Sequence, residues 1–312
     1  MESSQNLLAL RLQNQENGLV LDEYQTGDQE DFIGTDLEPE RRAIITGQRP
    51  KRLCAFRWFG GKNSKLGFLL PLLPAVDTYV EPFGGSAAVL LNRDPCRNDV
   101  YNDIHGAVVN FFRVLRDPRS TNQLIEQLTL TPYAREEFVL ATSRDQDDLS
   151  DVEWARRFFT VAIQGRDGMA QCAKPTHWSR ASKGINTHLH TKLSRVPQLA
   201  WVAERLLHVT IDNRPAIEVI ARYDSPHALI YADPPYLHSV RVCPEVYHKE
   251  MDDDEHRELA QALNAIHGKA AISGYDSALY RELYRGWNRH EDRLKRKPSG
   301  NTNAQEILWT NY

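Results

Sequence analysis

The sequence predicts an α/β fold in which a helical block interrupts a single α/β domain. Three observations carry this expectation. Strand-like segments alternate with helical ones in residues 78–115 and again from residue 229 onward. A long, mostly helical stretch separates the two regions. Residues 229–233 (Leu-Ile-Tyr-Ala-Asp) read as a strand buried on both faces, the kind from which parallel sheets are built.

The elements follow in order. Residues 1–50 are polar, acidic and rich in Gln and Asn, without apolar periodicity, and are expected to form a disordered tail. Structured sequence begins near Leu53. Residues 78–83 are β-rich and run into the turn Gly84-Gly85, after which Ser86 is the expected N-cap of a helix over residues 87–92. A second strand at 99–103 leads into a helix through Val108, Phe111, Phe112 and Leu115. Residues 119 to 207 are expected to be mostly helical, with a break at 165–184 rich in Gly, Lys, Ser and His. After the strand at 229–233 come a helix near 254–267, a strand at 270–273, a helix near 277–284 and a closing strand at 307–312. The expected partition is a tail (1–50), a first half-domain (51–118), a helical insert (119–207) and a second half-domain (208–312).

Charge is distributed unevenly. The 312-residue chain carries a formal net charge of -4, yet residues 1–50 alone hold ten acidic and four basic side chains. Between Arg156 and Arg195 there are eight Lys and Arg and a single acid, Asp167. A basic face of this kind is usually solvated, and it is also what a phosphate backbone requires. Cys54, Cys96, Cys172 and Cys243 are too widely spaced for a zinc site or a disulfide framework, so no metal is expected. No basic-then-apolar leader opens the chain, and the most apolar run, residues 66–76, is too short to cross a bilayer. These features predict a reduced, cytoplasmic protein with no membrane partner.

Three motifs bear chemistry. Gly84-Gly85 lies at the end of a strand, where open α/β sheets bind ligands and where the absence of Cβ atoms lets backbone approach them. Asp103 closes the next strand 19 residues after Gly84, a suitable offset for a carboxylate that accepts from ribose hydroxyls. The turn lacks the G-x-G-x-x-G pattern, which disfavours a dinucleotide and favours a nucleoside cofactor without a pyrophosphate. Taken alone, it is also compatible with a plain tight turn. Asp233-Pro234-Pro235-Tyr236 ends a hydrophobic strand with a carboxylate, carbonyls freed by proline, and an aromatic ring. That set suits an exocyclic amine flipped out of a nucleic-acid stack, and equally a rigid turn with a capping Asp. Arg57-Trp58-Phe59-Gly60-Gly61-Lys62 combines aromatic rings, glycines and a lysine that could clamp a purine and a carboxylate.

Together, in this order, these motifs resemble the Dam-like (D12 class) adenine-specific DNA methyltransferases, the phage and prophage members most of all. The resemblance spans most of residues 55–312, including 100–117, 209–236 and 247–287, and ends at 306–309 (Glu-Ile-Leu-Trp). It implies a Rossmann-like methyltransferase fold, with a mostly parallel sheet, a C-terminal antiparallel strand and an inserted helical target-recognition domain. It implies S-adenosylmethionine as methyl donor, held by Trp58, Gly60, Gly61, Lys62, Glu81, Pro82, Phe83, Gly84, Gly85, Asp103 and Asp233. The target adenine would be held by Asp233, Pro234, Pro235 and Tyr236. Double-stranded DNA would be contacted by Arg57, by Arg166, Lys174, Arg180 and Lys183 in the insert, and by Lys295, Arg296 and Lys297 in a basic loop before the last strand. A monomer is expected, with a dimer as the alternative, in a bacterial or phage-infected cell. Two departures stand out: Ala87 occupies a position where family members often carry glycine, which a helix already begun there would accommodate, and residues 164–173 match only loosely.

Rival readings are methylation of cytosine N4, a DNA-binding protein of the same fold without turnover, and methylation of a protein side-chain amide. His177, His188 and His190 have poor spacing for zinc and read as solvated or phosphate-contacting. Trp178, Phe158 and Phe159 could stack on bases, with the phenylalanines better placed in the core of the insert. The acids at 252–255 resemble an ion cluster but more simply start the helix that follows.

Overall fold

The computed structural model describes residues 48–143, 148–165, 173–179, 187–240, 249–292 and 305–312. The acidic tail up to residue 47 lies outside the described residues, as do Arg166, Arg180, Lys183, Lys295, Arg296 and Lys297.

Seven strands form one sheet: β1 (Thr78–Glu81), β2 (Asn98–Asn102), β3 (Val209–Asp212), β4 (Ala228–Ala232), β5 (Lys269–Tyr275), β6 (Asn288–Glu291) and β7 (Glu306–Thr310). Their spatial order is β3-β2-β1-β4-β5-β7-β6. The first five pair in parallel, and β7 runs antiparallel to both β5 and β6. This is the predicted Rossmann-like methyltransferase architecture. Period-2 alternation divides the strands between two cores. Tyr79, Tyr101, Leu229, Tyr231 and Leu308 enter one cluster, while Val80, Val100, Ile230, Ile272 and Ile307 enter the other. The second core is completed by helices that include α8 (Ala216–Tyr223), α9 (Asp253–Asn264) and α10 (Ala278–Leu283). Helix α9 begins with a reciprocal capping box between Asp252 and Glu255, so the acids at 252–255 start a helix, as their simpler reading holds.

Helix α1 is the short Leu66–Leu69, and α2 (Gly106–Val114) lies over the first core. The insert supplies α3 (Pro118–Leu130), α4 (Arg135–Ala141), α5 (Asp151–Gln164), α6 (Thr187–Arg195) and α7 (Leu199–Leu206). Helix α3 starts at Pro118, one residue before the stretch expected to be mostly helical: the Asp117 carboxylate accepts from Ser120 N–H at 2.8 Å, and Pro118 occupies the first turn, where its missing N–H costs nothing. Phe158 packs edge-on to Phe56 at 5.0 Å, and Phe159 stacks on Phe111 at 6.0 Å. Both phenylalanines are therefore core residues, and the core they enter continues into the sheet domain. A buried ion pair adds to this junction, with Arg205 of α7 2.6 Å from Asp99 of β2.

Two expectations are corrected. The basic block is thinner than its residue count. Arg156 pairs with Glu153 at 2.6 Å and Glu137 at 2.9 Å, and Arg157 pairs with Glu153 at 2.9 Å. Lys192 is buried, with its ammonium donating to the Thr131 carbonyl. The neutralising acids lie upstream of residue 156, on α4 and one helical turn earlier on α5, where a count along the block does not see them. Lys174 is exposed.

The expected helix over residues 87–92 is instead a series of turns. Ala87 is the non-glycine residue with positive φ (53°) among those described, so it occupies the left-handed conformation that glycine adopts freely. Left-handed geometry costs an L-residue about 1–2 kcal/mol. Ala87→Gly would relieve that cost while losing a buried methyl worth about 0.8 kcal/mol and adding unfolded-state entropy worth about 0.4–1 kcal/mol. The melting temperature should therefore stay within roughly 3 °C of wild type. A loss well beyond that in a thermal melt would contradict the left-handed assignment.

Candidate active site

Sheet topology puts the site at the carboxyl ends of β1 and β4. From β1 the chain proceeds outward through β2 and β3, and on the other side through β4 and β5, so the adjacent strands β1 and β4 form the switch point. Parallel pairing sets Val80 beside Ile230. Glu81 therefore ends β1, and Asp233 directly follows β4, on the same rim.

A cavity of about 320 Å³ opens there. It is lined by all eleven residues expected to hold the cofactor: Trp58, Gly60, Gly61, Lys62, Glu81, Pro82, Phe83, Gly84, Gly85, Asp103 and Asp233. Pro234 and Pro235 join them. The glycine turn folds tightly on β2. Gly84 N–H donates to the Asn102 carbonyl at 2.7 Å and Tyr101 hydroxyl donates to the Gly85 carbonyl at 2.8 Å. A Cβ on Gly84 would lie 2.2 Å from the Tyr101 ring, and one on Gly85 would lie 2.7 Å from the Trp58 indole nitrogen. Gly85 also has φ 48°, so both positions require glycine for space and one of them for conformation. Asp103 closes the turn, accepting from Gly85 N–H and His105 N–H, each at 2.8 Å.

Lys62 reaches across the cavity from a turn of 3₁₀ helix (Lys62–Ser64). Its ammonium stands 2.6 Å from Asp233 Oδ1 and 3.7 Å from Glu306 Oε1, and donates to the Gly60 carbonyl at 3.0 Å. Burial pushes the Asp233 carboxyl up to about 6, with the Lys62 ammonium opposing and the Glu306 charge adding to the rise. Burial pushes Glu81 further, to about 8, against the hydrogen bond that it accepts from Tyr79 hydroxyl at 2.7 Å.

Tyr236 does not line the cavity. It is buried, its hydroxyl donates to Glu306, and its ring meets the Tyr275 ring edge-on at 4.8 Å. Arg57 is half-buried next to Trp58 and also lies off the cavity wall. Trp178 is anchored within the insert: its indole N–H donates to Gln164 Oε1 at 3.2 Å, and the Arg135 guanidinium lies 5.2 Å from its ring.

The family model described as D12 class N6 adenine-specific DNA methyltransferase matches residues 58–297, a span that holds the glycine turn, Asp103 and the Asp-Pro-Pro-Tyr turn. The chain belongs to that family. Among curated proteins, this methyltransferase is similar to the DNA adenine methylase of Escherichia coli (strain K12), 23% identical over 273 residues that cover 80% of this chain and 91% of that protein. It is likewise similar to the Retron Ec67 DNA adenine methylase of Escherichia coli, 23% identical over 77% of this chain and 83% of that protein. The DNA adenine methylase of Salmonella typhi is 24% identical, over 80% of this chain and 91% of that protein. The methyltransferase is therefore an adenine-specific DNA enzyme, and cytosine N4, a silent DNA-binding protein and a protein amide are set aside as rival readings. Among the described residues, no helix is long and apolar enough to cross a membrane.

Sequence reasoning missed part of the wall. Arg214, Pro215 and Ile217, at the start of α8, line the cavity together with Ile104 and His105, and Met251 and Leu259 line it from the α9 side. Glu306 enters the sequence reading only as the start of a matching segment. An acid heading an otherwise apolar strand is the signal that could have singled it out.

Proposed function

We propose that the methyltransferase transfers the methyl group of S-adenosylmethionine to N6 of an adenine flipped out of double-stranded DNA, with Asp233 as the principal acceptor for the target amine. The observation that carries this is the Lys62–Asp233 contact of 2.6 Å at the β1/β4 switch point, within one cavity shared with the glycine turn and Asp103. The cavity falls within the usual size range for small-molecule sites. Its wall suits a nucleoside bearing a cationic side arm. Asp103 accepts from the ribose hydroxyls, Trp58 and Phe83 supply apolar and aromatic surface, and the glycine turn leaves room where Cβ atoms would intrude.

The bound donor supplies an electrophilic methyl carbon on a sulfonium. Asp233 and the Pro234 carbonyl accept the two hydrogens of the adenine amine, drawing its lone pair out of conjugation with the ring and turning it toward that carbon. As the N–C bond forms and the S–C bond breaks, positive charge develops on N6. The Asp233 carboxylate, fixed in advance by Lys62, stabilises that charge and takes the departing proton on Oδ before it passes to solvent. Helices of the 119–207 insert, with Lys174 on its exposed side, serve as the target-recognition unit between the half-domains 51–118 and 208–312.

The test is direct. Purified protein, unmethylated DNA and methyl-labelled S-adenosylmethionine should yield N6-methyladenine when the DNA is digested to nucleosides and weighed. Labelled N4-methylcytosine, or unlabelled DNA, would refute the assignment.

A further inference from the structure

Glu306 opens β7, is 4% exposed, and heads a run of apolar residues. Its strand pairing with Tyr275 of β5 uses backbone groups and leaves the carboxylate to act elsewhere. Oε1 accepts from Tyr236 hydroxyl and stands 3.7 Å from Lys62 Nζ, which is 2.6 Å from Asp233. The same ammonium lies 4.9 Å from the centroid of the Tyr236 ring. Two carboxylates therefore flank one buried ammonium. One belongs to the Asp-Pro-Pro-Tyr turn, the other to β7, and the tyrosine of the turn is tied to the second. A buried acid is costly unless its charge and lone pairs are satisfied, and here both partners belong to the transfer site.

We propose that Glu306 is a positioning residue of this site: through the Tyr236 hydroxyl it fixes the ring that ends the Asp-Pro-Pro-Tyr turn, and by drawing on Lys62 it sets how tightly that ammonium holds the Asp233 carboxylate. The inference rests on the proposed role of Asp233 as acceptor for the target amine. The groups facing Asp233 are Lys62 from the 3₁₀ turn, Glu306 from β7, Tyr231 from β4, Tyr275 from β5, Tyr236 from its own turn and Glu81 from β1. Among the carboxylates, Glu306 acts most strongly against ionisation of Asp233.

Glu306→Gln removes the charge, keeps an acceptor for Tyr236 hydroxyl and leaves Asp233 without a rival carboxylate for Lys62 at this position. Titration of Asp233 in the donor-free protein, followed by carboxyl ¹³C NMR, should then move to lower pH by about half a pH unit or more. The acid limb of kcat/KM should move with it. Tyr236→Phe and Glu306→Ala break the same bond from opposite ends. Each should lower kcat about tenfold, and the double variant should lose no more than the worse single one. An unmoved Asp233 titration in Glu306→Gln, or losses that multiply in the double variant, would overturn the inference. If Glu306→Ala does not fold, the NMR titration of the glutamine variant decides alone. Wild-type protein that transfers no methyl group refutes the proposed function instead, since that result does not depend on any Glu306 variant.

Discussion

Asparagine at position 233 should abolish methyl transfer while leaving the protein folded. The substitution preserves shape at the end of β4 but replaces two anionic acceptors with one neutral acceptor and one donor. The new amide must then turn its NH2 either toward Lys62, whose ammonium is 2.6 Å from Oδ1, or toward the target amine, and both of these offer it hydrogens rather than an acceptor. Removing one preorganised partner of a developing charge typically costs about 10²–10³ in kcat. Here the loss should be at least that large, because in the proposed reaction the carboxylate is both the acceptor for the amine and the group that faces the growing positive charge. Circular dichroism and a thermal melt should stay close to wild type, since the backbone turn is set by Pro234 and Pro235. A variant with transfer above about a tenth of the wild-type rate would show that Asp233 is not the principal acceptor.

The wild-type pH profile follows from the same carboxylate. With Asp233 pushed up to about 6, the acceptor is lost to protonation as pH falls through that value, so kcat/KM, which reports the free enzyme, should show an acid limb near pH 6. A cationic donor in the cavity favours the ionised form, so the corresponding limb in kcat should lie at lower pH. Coincident limbs would indicate that Asp233 does not sense the donor.

How far the sequence could be read depended on what each segment buries. β4 is apolar because both of its faces are covered, and it was legible. β6 (Asn-Arg-His-Glu) lies at the sheet edge, where polar residues are tolerated and protective, so its strand character left no apolar signal. β3, at the other edge, is short and partly exposed, and escaped for the same reason. Ala87-Ala-Val-Leu-Leu reads as helix because those residues favour helix and apolar burial. The left-handed backbone at Ala87 is imposed by the tight turn from Gly84, and no side chain announces it. The cofactor-side residues were legible by type and order, and they gather in one cavity. The Tyr236–Glu306 bond was not, because it joins positions 70 residues apart whose meeting depends on β7 inserting beside β5.

Glutamine at position 81 should make the donor-free protein more stable at alkaline pH, and at the expense of donor binding. Glu81 is 3% exposed at the end of β1, and burial holds its carboxyl at about 8, whereas an unfolded chain ionises it near 4.5. Since the folded-state value is raised, folding takes up a proton between those values, and stability is greatest below pH 4.5 and declines as pH rises toward 8. A tenfold change in a protonation equilibrium is worth about 1.4 kcal/mol, so Glu81 opposes folding by at most roughly 5 kcal/mol above pH 8. Glutamine still accepts from Tyr79 hydroxyl and does not titrate. Thermal melts should therefore show Glu81→Gln well above wild type at pH 8.5 and level with it at pH 4.5, and a gap that does not vary with pH would exclude this origin. With the proposed donor in the cavity the destabilising carboxylate would have a use: the sulfonium would favour its ionised form, so part of the electrostatic cost of folding would be recovered on binding. Wild-type protein should then release protons when S-adenosylmethionine binds near pH 7, detectable as a dependence of the calorimetric heat on buffer ionisation enthalpy. Glu81→Gln should bind the donor more weakly and release fewer protons. Equal proton release by the two proteins would assign the coupling to Asp233 alone.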